Sequence, residues 1–430
     1  MIYICDPICR NMSHEKVNSG FIYGLRLAFP NEKIVVYADK SHIDALANIL
    51  KVDGIDIENL EYFPINVSNQ YSLFYYPKYY FLLKNILKNV LRSDDNRLFF
   101  LSFNKVILHI VKKLKRHHLF AELKFTFVLH GELETIAPSA PKLSAFSLPA
   151  SSIISRLARY PIYSWPKKLF SLIARKTLGT YQNKISTVYN NWLSLKEVLY
   201  FEHSDDYKYI ALSSHIIDNA QEYIDIDLLN ISLVTMPNVF AHPEIVAPNE
   251  YPKFAIFGYG NSEVLAQILT RLSSLGLTNP YEVRNISMNN RGISDFKNVT
   301  LTSNGSSLRR EEMERHAKDI DIFLILHQAD SYRLSCSASI FEALNYKKPI
   351  IHFDSSCMNT YNTNENPIGY CVSTIDQFAK KMGDIIDNYS EFLSDRDDFN
   401  KNILKVRERC SIERSMKGIK SSFTWIDEIT

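Results

Sequence analysis

Residues 319–354 read DIDIFLILHQADSYRLSCSASIFEALNYKKPIIHFD, and the architecture can be worked out from them. The apolar run IFLIL has the length of a buried strand and ends at His327. A polar loop carrying Arg333 follows. Ser335-Cys336-Ser337-Ala338-Ser339 then opens a helix, and Lys347-Lys348-Pro349 leads into a second buried strand. Strand, loop, helix and strand in that order predict a parallel sheet with helices on its faces. Small residues at a helix start leave several backbone N–H groups open to an anion. Arg333 can add a bidentate clamp on a diphosphate. Glu342 lies one helical turn beyond Ser339, within reach of ribose hydroxyls. His327, Arg333, Ser335, Ser337, Ala338, Ser339 and Glu342 thus form a candidate anion and nucleotide site. A serine-capped helix with a solvated glutamate would show the same residues.

The alternation continues on both sides. Downstream, GYCVS reads as a strand and residues 375–388 as a helix. Upstream, KFAIFGYGN (253–261) is a strand running into a glycine turn. Residues 262–276 follow as an amphipathic helix with Ser262 as N-cap and Gly276 as C-cap. YEVRNIS and NVTLTS are strands, with a helix near 307–318. With a helical tail at 395–430, this half spans residues 251–430. LVTMPNVFAHPEIVAPNEYP (233–252) has four prolines and no helical period, so it reads as the linker.

Residues 1–245 repeat the pattern. MIYIC, KIVVYAD (33–39), RLFFLSF (97–103), KFTFVLH (124–130), STVYNN (186–191) and YKYIALSS (207–214) read as strands. Helical spacing marks 20–29, 41–50 with Ser41 as N-cap, 78–92 and 104–118. The expected fold class is α/β: two doubly wound Rossmann-like domains facing across a cleft. Ligands of such sheets bind outside the carboxyl ends of the strands.

Composition narrows the function classes. The 430 residues carry 49 Lys and Arg against 47 Asp and Glu, a net +2. That is ordinary globular composition, with no global field to hold nucleic acid. The six cysteines have no zinc-site spacing, and free thiols in a reducing compartment are expected. MIYICDPICR lacks a basic region ahead of a long apolar run, and no apolar run reaches the ~18 residues of a membrane span. The expected location is cytoplasmic, or peripheral on the inner face of a membrane. Glycine is scarce at 13 residues, so each glycine at a strand end is informative.

One segment departs from the average. Residues 135–196 hold nine Lys and Arg and no Asp or Glu. Trp165, Lys167, Lys168, Arg175 and Lys176 combine basic and aromatic character at helical spacing, which suits an anionic membrane surface. A basic surface that packs on the first domain is the plainer alternative.

In the first half, His130-Gly131-Glu132 lies just past the strand 124–130, at the cleft edge. His130 or Glu132 can serve as a base toward a hydroxyl. His14, Asn18 and Gly20 follow the first strand and are candidate acceptor contacts. Gly258 and Gly260 give G-x-G without a third glycine, and the next strand, YEVRNIS, lacks the acidic residue of a dinucleotide site, which disfavours a dehydrogenase.

The pattern of strand, polar loop, S-x-S-x-x-x-E-A-L and K-x-P-I-I resembles the second domain of GT-B-fold glycosyltransferases. The resemblance implies that Ser337, Ala338 and Ser339 face the diphosphate of a nucleotide-sugar and that Glu342 takes its ribose. It places Asn304 and Gly305 near the base. Gly258 and Gly260, by their own residue type, would let the backbone approach a donor phosphate or acceptor sugar, or else make only a tight turn. Many retaining members carry a second glutamate eight residues before the first; here that position is Leu334. No DxD-type pair sits in a suitable loop, so neither a metal nor a further cofactor is expected. The implied activity is sugar transfer from a nucleotide diphosphate-sugar to a lipid-linked saccharide in bacterial surface polysaccharide synthesis. A nucleotide-sugar epimerase of the same fold and a non-catalytic nucleotide- or glycan-binding relative are the alternatives.

Overall fold

The computed structural model describes residues 1–68, 75–93, 95–137, 194–240, 247–258, 261–306 and 308–425. Seven strands form the first sheet: β1 (Ile2–Asp6), β2 (Ile34–Asp39), β3 (Leu60–Ile65), β4 (Arg97–Phe100), β5 (Lys124–Leu129), β6 (Tyr207–Ala211) and β7 (Ile231–Leu233). They are all parallel, in the order β3-β2-β1-β4-β5-β6-β7. Six form the second: β8 (Lys253–Gly258), β9 (Glu282–Ser287), β10 (Val299–Leu301), β11 (Ile322–Ile325), β12 (Ile350–Phe353) and β13 (Gly369–Val372). These too are parallel, in the order β10-β9-β8-β11-β12-β13. The order reverses between β1 and β4 and again between β8 and β11. Each sheet therefore has a switch point at which its loops part and leave a crevice.

The helices around the first sheet are α1 (Glu15–Ala28), α2 (Lys40–Val52), α3 (Tyr75–Leu91), α4 (Lys105–Lys115), α5 (Leu195–Tyr200) and α6 (Ser214–Ala220). Those of the second half are α7 (Ser262–Ser273), α8 (Arg310–Ala317), α9 (Ala338–Asn345), α10 (Ser356–Asn359), α11 (Ile375–Asp387), α12 (Tyr389–Arg409) and α13 (Ile412–Phe423).

The central strands form because they are apolar runs that bury on both faces. In β5, Phe125 and Phe127 are fully buried, and Phe127 stacks on Phe100 of β4 at 4.7 Å. Both β3 and β7 are edge strands with much exposure, and neither was evident in the sequence. An edge strand lacks the continuous apolar run of a central one. The candidate strand 186–191 lies outside the described residues.

Two caps fall earlier than expected. Asp39, not Ser41, caps α2: its carboxylate accepts from the Ser41 N–H at 3.0 Å and the Ser41 hydroxyl at 2.7 Å. Asn261, not Ser262, caps α7 through the Val264 N–H at 3.1 Å. The longer Asp and Asn side chains reach N–H groups two or three residues on.

The tail does not stay with the second half. α13 lies on the first sheet, where Thr126 donates to the Ser422 carbonyl at 2.6 Å and the Trp425 indole to Asp205 O at 2.9 Å. Phe423 is fully buried against Phe29 and Phe99.

Candidate active site

The carboxyl end of β1 is built around Asp6, which is fully buried. Its Oδ1 accepts from the N–H groups of Ile8 (3.2 Å) and Cys9 (2.9 Å) and from the Ser102 hydroxyl. Its Oδ2 accepts from Asn18 Nδ2 at 2.6 Å and faces His42 Nε2 at 3.2 Å. The other ring nitrogen of His42 lies 2.9 Å from the Asn11 carbonyl. Asp6 Oδ2 and the Asn11 carbonyl accept from the two ring nitrogens, an arrangement that favours the protonated imidazole and a buried ion pair with Asp6, with Asn18 Nδ2 3.1 Å from His42 Nε2. Burial alone would raise the Asp6 pKa; the hydrogen bond and charge of His42, with Ser102, hold it at about 2. Burial would lower the His42 pKa, and Asp6 raises it above the ordinary value. Among the described residues, Asp6, Cys9 and His42 are one group whose ligand-type atoms lie within 4.8 Å of one another. The Asp6–His42 contact and the bond from the Cys9 N–H to Asp6 bring the three together.

His14 stands over this pair in the left-handed region (φ 56°), where it starts α1. Its ring lies 4.5 Å from that of His130. His130 Nε2 donates to the Leu101 carbonyl at 2.6 Å, which fixes the tautomer. Burial first, and then the nearby His14, drop the His130 pKa to about 3. The His130 ring is therefore neutral near pH 7 and lies beside His14.

Glu132 has the opposite character. It opens a short 3₁₀ helix (Glu132–Ile136), and its Oε2 accepts from the Gly131 N–H at 3.1 Å. Burial pushes its pKa up to about 7, against the lowering effect of the backbone N–H groups. Such a carboxyl is poised to exchange a proton near neutrality. Gly131 abuts the other half of the molecule: a Cβ placed there would lie 3.6 Å from Ser335 Cβ.

On the facing wall, Ser337 is the N-cap residue of α9 but does not cap it. Its hydroxyl is engaged by His327 Nε2 at 2.7 Å, and the His327 ring packs on Tyr332 at 4.2 Å. Burial lowers the His327 pKa to about 4, so this ring is neutral. The first N–H groups of α9 are left without a side-chain cap, and Ala338 there is exposed. Uncapped N–H groups at a solvent-facing helix start form an anion seat.

Glu342 is not a lone acceptor. Arg310, the buried first residue of α8, donates to both its oxygens, at 2.7 and 3.0 Å. Each oxygen keeps a second lone pair for a hydroxyl. Sequence reasoning missed Arg310, although it stands inside the segment TSNGSSLRREEM that follows β10. It also missed Glu15 on α1. Burial raises the Glu15 pKa to about 7, with Arg310 opposing and Glu342 reinforcing the shift. Glu15 thus senses the Arg310–Glu342 pair from the other side of the cleft.

Arg333 pairs with Glu222 at 3.3 Å, and Asn219 Nδ2 donates to the Arg333 carbonyl at 2.9 Å. His215 Nε2 reaches the carbonyls of Ser335 (2.9 Å) and Tyr332 (3.1 Å). Glu134 accepts from the Leu334 N–H (2.9 Å) and the Ser335 hydroxyl (2.7 Å). The loop 332–335 is therefore gripped by Glu134, His215, Asn219 and Glu222 of the first half. No sequence motif signals these four.

Other candidates lie elsewhere. Asn18 is fully buried on the Asp6–His42 pair. Gly20 sits inside α1, buried, where an added Cβ would strike the Pro237 carbonyl. Both positions are buried and not open to an acceptor, because this face of α1 packs inward. Asn304 and Gly305 form an exposed turn, closed by Ser306 Oγ on Asn304 Oδ1 at 2.8 Å. Gly258 ends β8. Gly260, Trp165, Lys167, Lys168, Arg175 and Lys176 lie outside the described residues. No described helix is long and apolar enough to cross a membrane.

No family model matches the chain, and no curated protein sequence matches it. Solved structures are similar to it. A glycosyltransferase from Rickettsia africae aligns with a TM-score of 0.56 at 12% identity over 100% of both chains. OtsA in its apo form aligns with a TM-score of 0.56 at 10% identity over 99% of both. The apo lipopolysaccharide outer core galactosyltransferase WaaB gives 0.51 at 12% identity over 98% of both. Likeness at such identity speaks for the fold, and on that ground this chain is an α/β protein with the two-domain GT-B fold.

Proposed function

We propose that this chain is a glycosyltransferase that moves a sugar from a nucleotide diphosphate-sugar to a hydroxyl of a saccharide acceptor. One observation carries the reading. Glu132, whose pKa burial raises to about 7, follows Gly131, which abuts Ser335, and Ser335 stands just ahead of the uncapped N-terminus of α9. Sugar transfer with inversion needs that combination. A base takes the acceptor proton, and a cationic or dipolar seat receives the charge of the departing diphosphate.

In this reading Glu132 is the acceptor base. Ser337, Ala338 and Ser339 present N–H groups to the diphosphate, and Arg333, held by one exposed ion pair, swings onto it. Glu342, oriented by Arg310, takes ribose hydroxyls. His14 and His130 form the neutral floor under the acceptor. His215 and Asn219, which stay on the carbonyls of the loop 332–335, keep the halves together and help exclude water from the donor.

The acceptor is lipid-linked, at the inner face of an anionic bacterial membrane, and the product is a surface polysaccharide. The support is the acid-free basic segment 135–196, which joins the 3₁₀ helix of Glu132 to α5. A thermal-shift screen of nucleoside diphosphates and their sugars tests the donor half, because a ligand of the folded state raises the melting temperature. No shift with any nucleotide would sink it. Sedimentation with anionic liposomes tests the membrane half. Replacing Lys167, Lys168, Arg175 and Lys176 together with alanine is expected to abolish co-sedimentation, and unchanged binding would overturn this part.

A further inference from the structure

Glu134 is a carboxylate of the acceptor wall that reaches the backbone of the donor wall. Its Oε1 accepts two hydrogen bonds, from the Leu334 N–H at 2.9 Å and from the Ser335 hydroxyl at 2.7 Å. Leu334 and Ser335 are themselves buried, at 1% and 7% exposure. They stand just ahead of Ser337 and the open start of α9. An N–H and an O–H converging on one anionic oxygen is the donor set that also receives a phosphate oxygen. Two anions cannot share it.

We propose that Glu134 is a built-in anion that holds the Leu334 and Ser335 donors while the site is empty and yields them to the diphosphate of the donor. This rests on the donor-site reading above and adds a regulation to it. Glu134 and Glu132 share one 3₁₀ turn, and a Cβ placed on Gly131 ahead of it would lie 3.6 Å from Ser335 Cβ, so the exchange takes place beside the proposed acceptor base.

A double-mutant cycle tests this. The probe is the nucleoside diphosphate that gives the largest thermal shift with the wild-type protein, with inorganic pyrophosphate alongside. Glu134→Gln keeps the shape and removes the charge. It is expected to tighten the probe's Kd by about tenfold, the worth of one charge-assisted hydrogen bond. Ser335→Ala is expected to weaken binding, and Glu134→Gln added to it is expected to give little further tightening. An equal gain in both backgrounds would mean simple charge repulsion at a distance and would overturn the exchange. Unchanged or weaker binding by Glu134→Gln would make Glu134 a structural latch and also overturn it. Should Glu134→Gln not fold, Glu134→Asp retains the charge but shortens the reach, and it too must tighten the probe. If no nucleoside diphosphate binds any form, the donor-site reading itself falls. If wild type binds and the variants bind no tighter, only the exchange falls.

Discussion

At the scale of single residues, the site is organised by buried charge. The Asp6–His42 pair lies where β1 ends, and removing one partner strands the other charge in the core. Asp6→Asn is expected to cost about 3–5 kcal/mol in denaturant unfolding. The pair also has a pH signature. Asp6 ionises near 2 in the fold against an ordinary 3.8, so its contribution is complete above ~4 and lost as pH falls toward 2. The pKa of His42 is raised, so its contribution is complete below the ordinary 6.5 and fades as pH climbs through the raised value. Glu132 works in the other direction. Its pKa rises from 4.5 to about 7, so the fold binds a proton that the unfolded chain has released, and stability declines as pH rises across that window. Glu132→Gln is expected to flatten this decline in unfolding measured from pH 5 to 8. If Glu132 is the acceptor base, transfer rises with pH around a midpoint near 7. The same variant then lowers the rate by ~10²–10⁴-fold and removes the midpoint. A full rate in Glu132→Gln would move the base to Glu15, which also titrates near 7.

At the scale of elements, helix ends and helix faces set the geometry. α9 begins with a serine whose hydroxyl is engaged elsewhere, and this leaves its first N–H groups open. α1 approaches the linker so closely that only glycine fits at position 20. An added methyl would meet the Pro237 backbone carbonyl, which cannot rotate away as a side chain can. Gly20→Ala is expected to destabilise by about 1–3 kcal/mol in chemical denaturation. Position 24 is more forgiving, because its neighbour is the flexible Ile419 side chain. Central strands and long amphipathic helices were legible in the sequence, since burial on both faces or on one stripe dictates their composition. The edge strands β3 and β7 were not, since half-exposed strands carry no such pattern.

At the scale of the whole molecule, the chain crosses between its halves twice. After the second sheet it returns as α13, which packs on the first. Phe423 anchors that return, so Phe423→Ala is expected to cost about 3–5 kcal/mol and to lower the melting temperature. An unchanged melting curve would show that α13 is dispensable to the first sheet. The halves also meet through backbone polar groups. Glu134, His215 and Asn219 bind the loop 332–335 through its main-chain atoms and the Ser335 hydroxyl. Recognition of main chain is nearly indifferent to the loop's side chains, which is why no motif marks it.

Two doubly wound sheets, their order along the chain and the small-residue start of α9 follow from local composition. Hydrophobic period and helix-start chemistry depend on neighbours in sequence, so sequence alone determined them. The electrostatic state of the site depends on neighbours in space. His130 and Glu132 are two residues apart, yet burial drives the histidine to about 3 and the glutamate to about 7. The pairing of Arg310 with Glu342, the grip of Glu134 on Ser335 and the docking of α13 join residues 32, 201 and up to 296 positions apart. Only the tertiary structure decided those contacts, because desolvation and hydrogen bonding act on what the fold brings together.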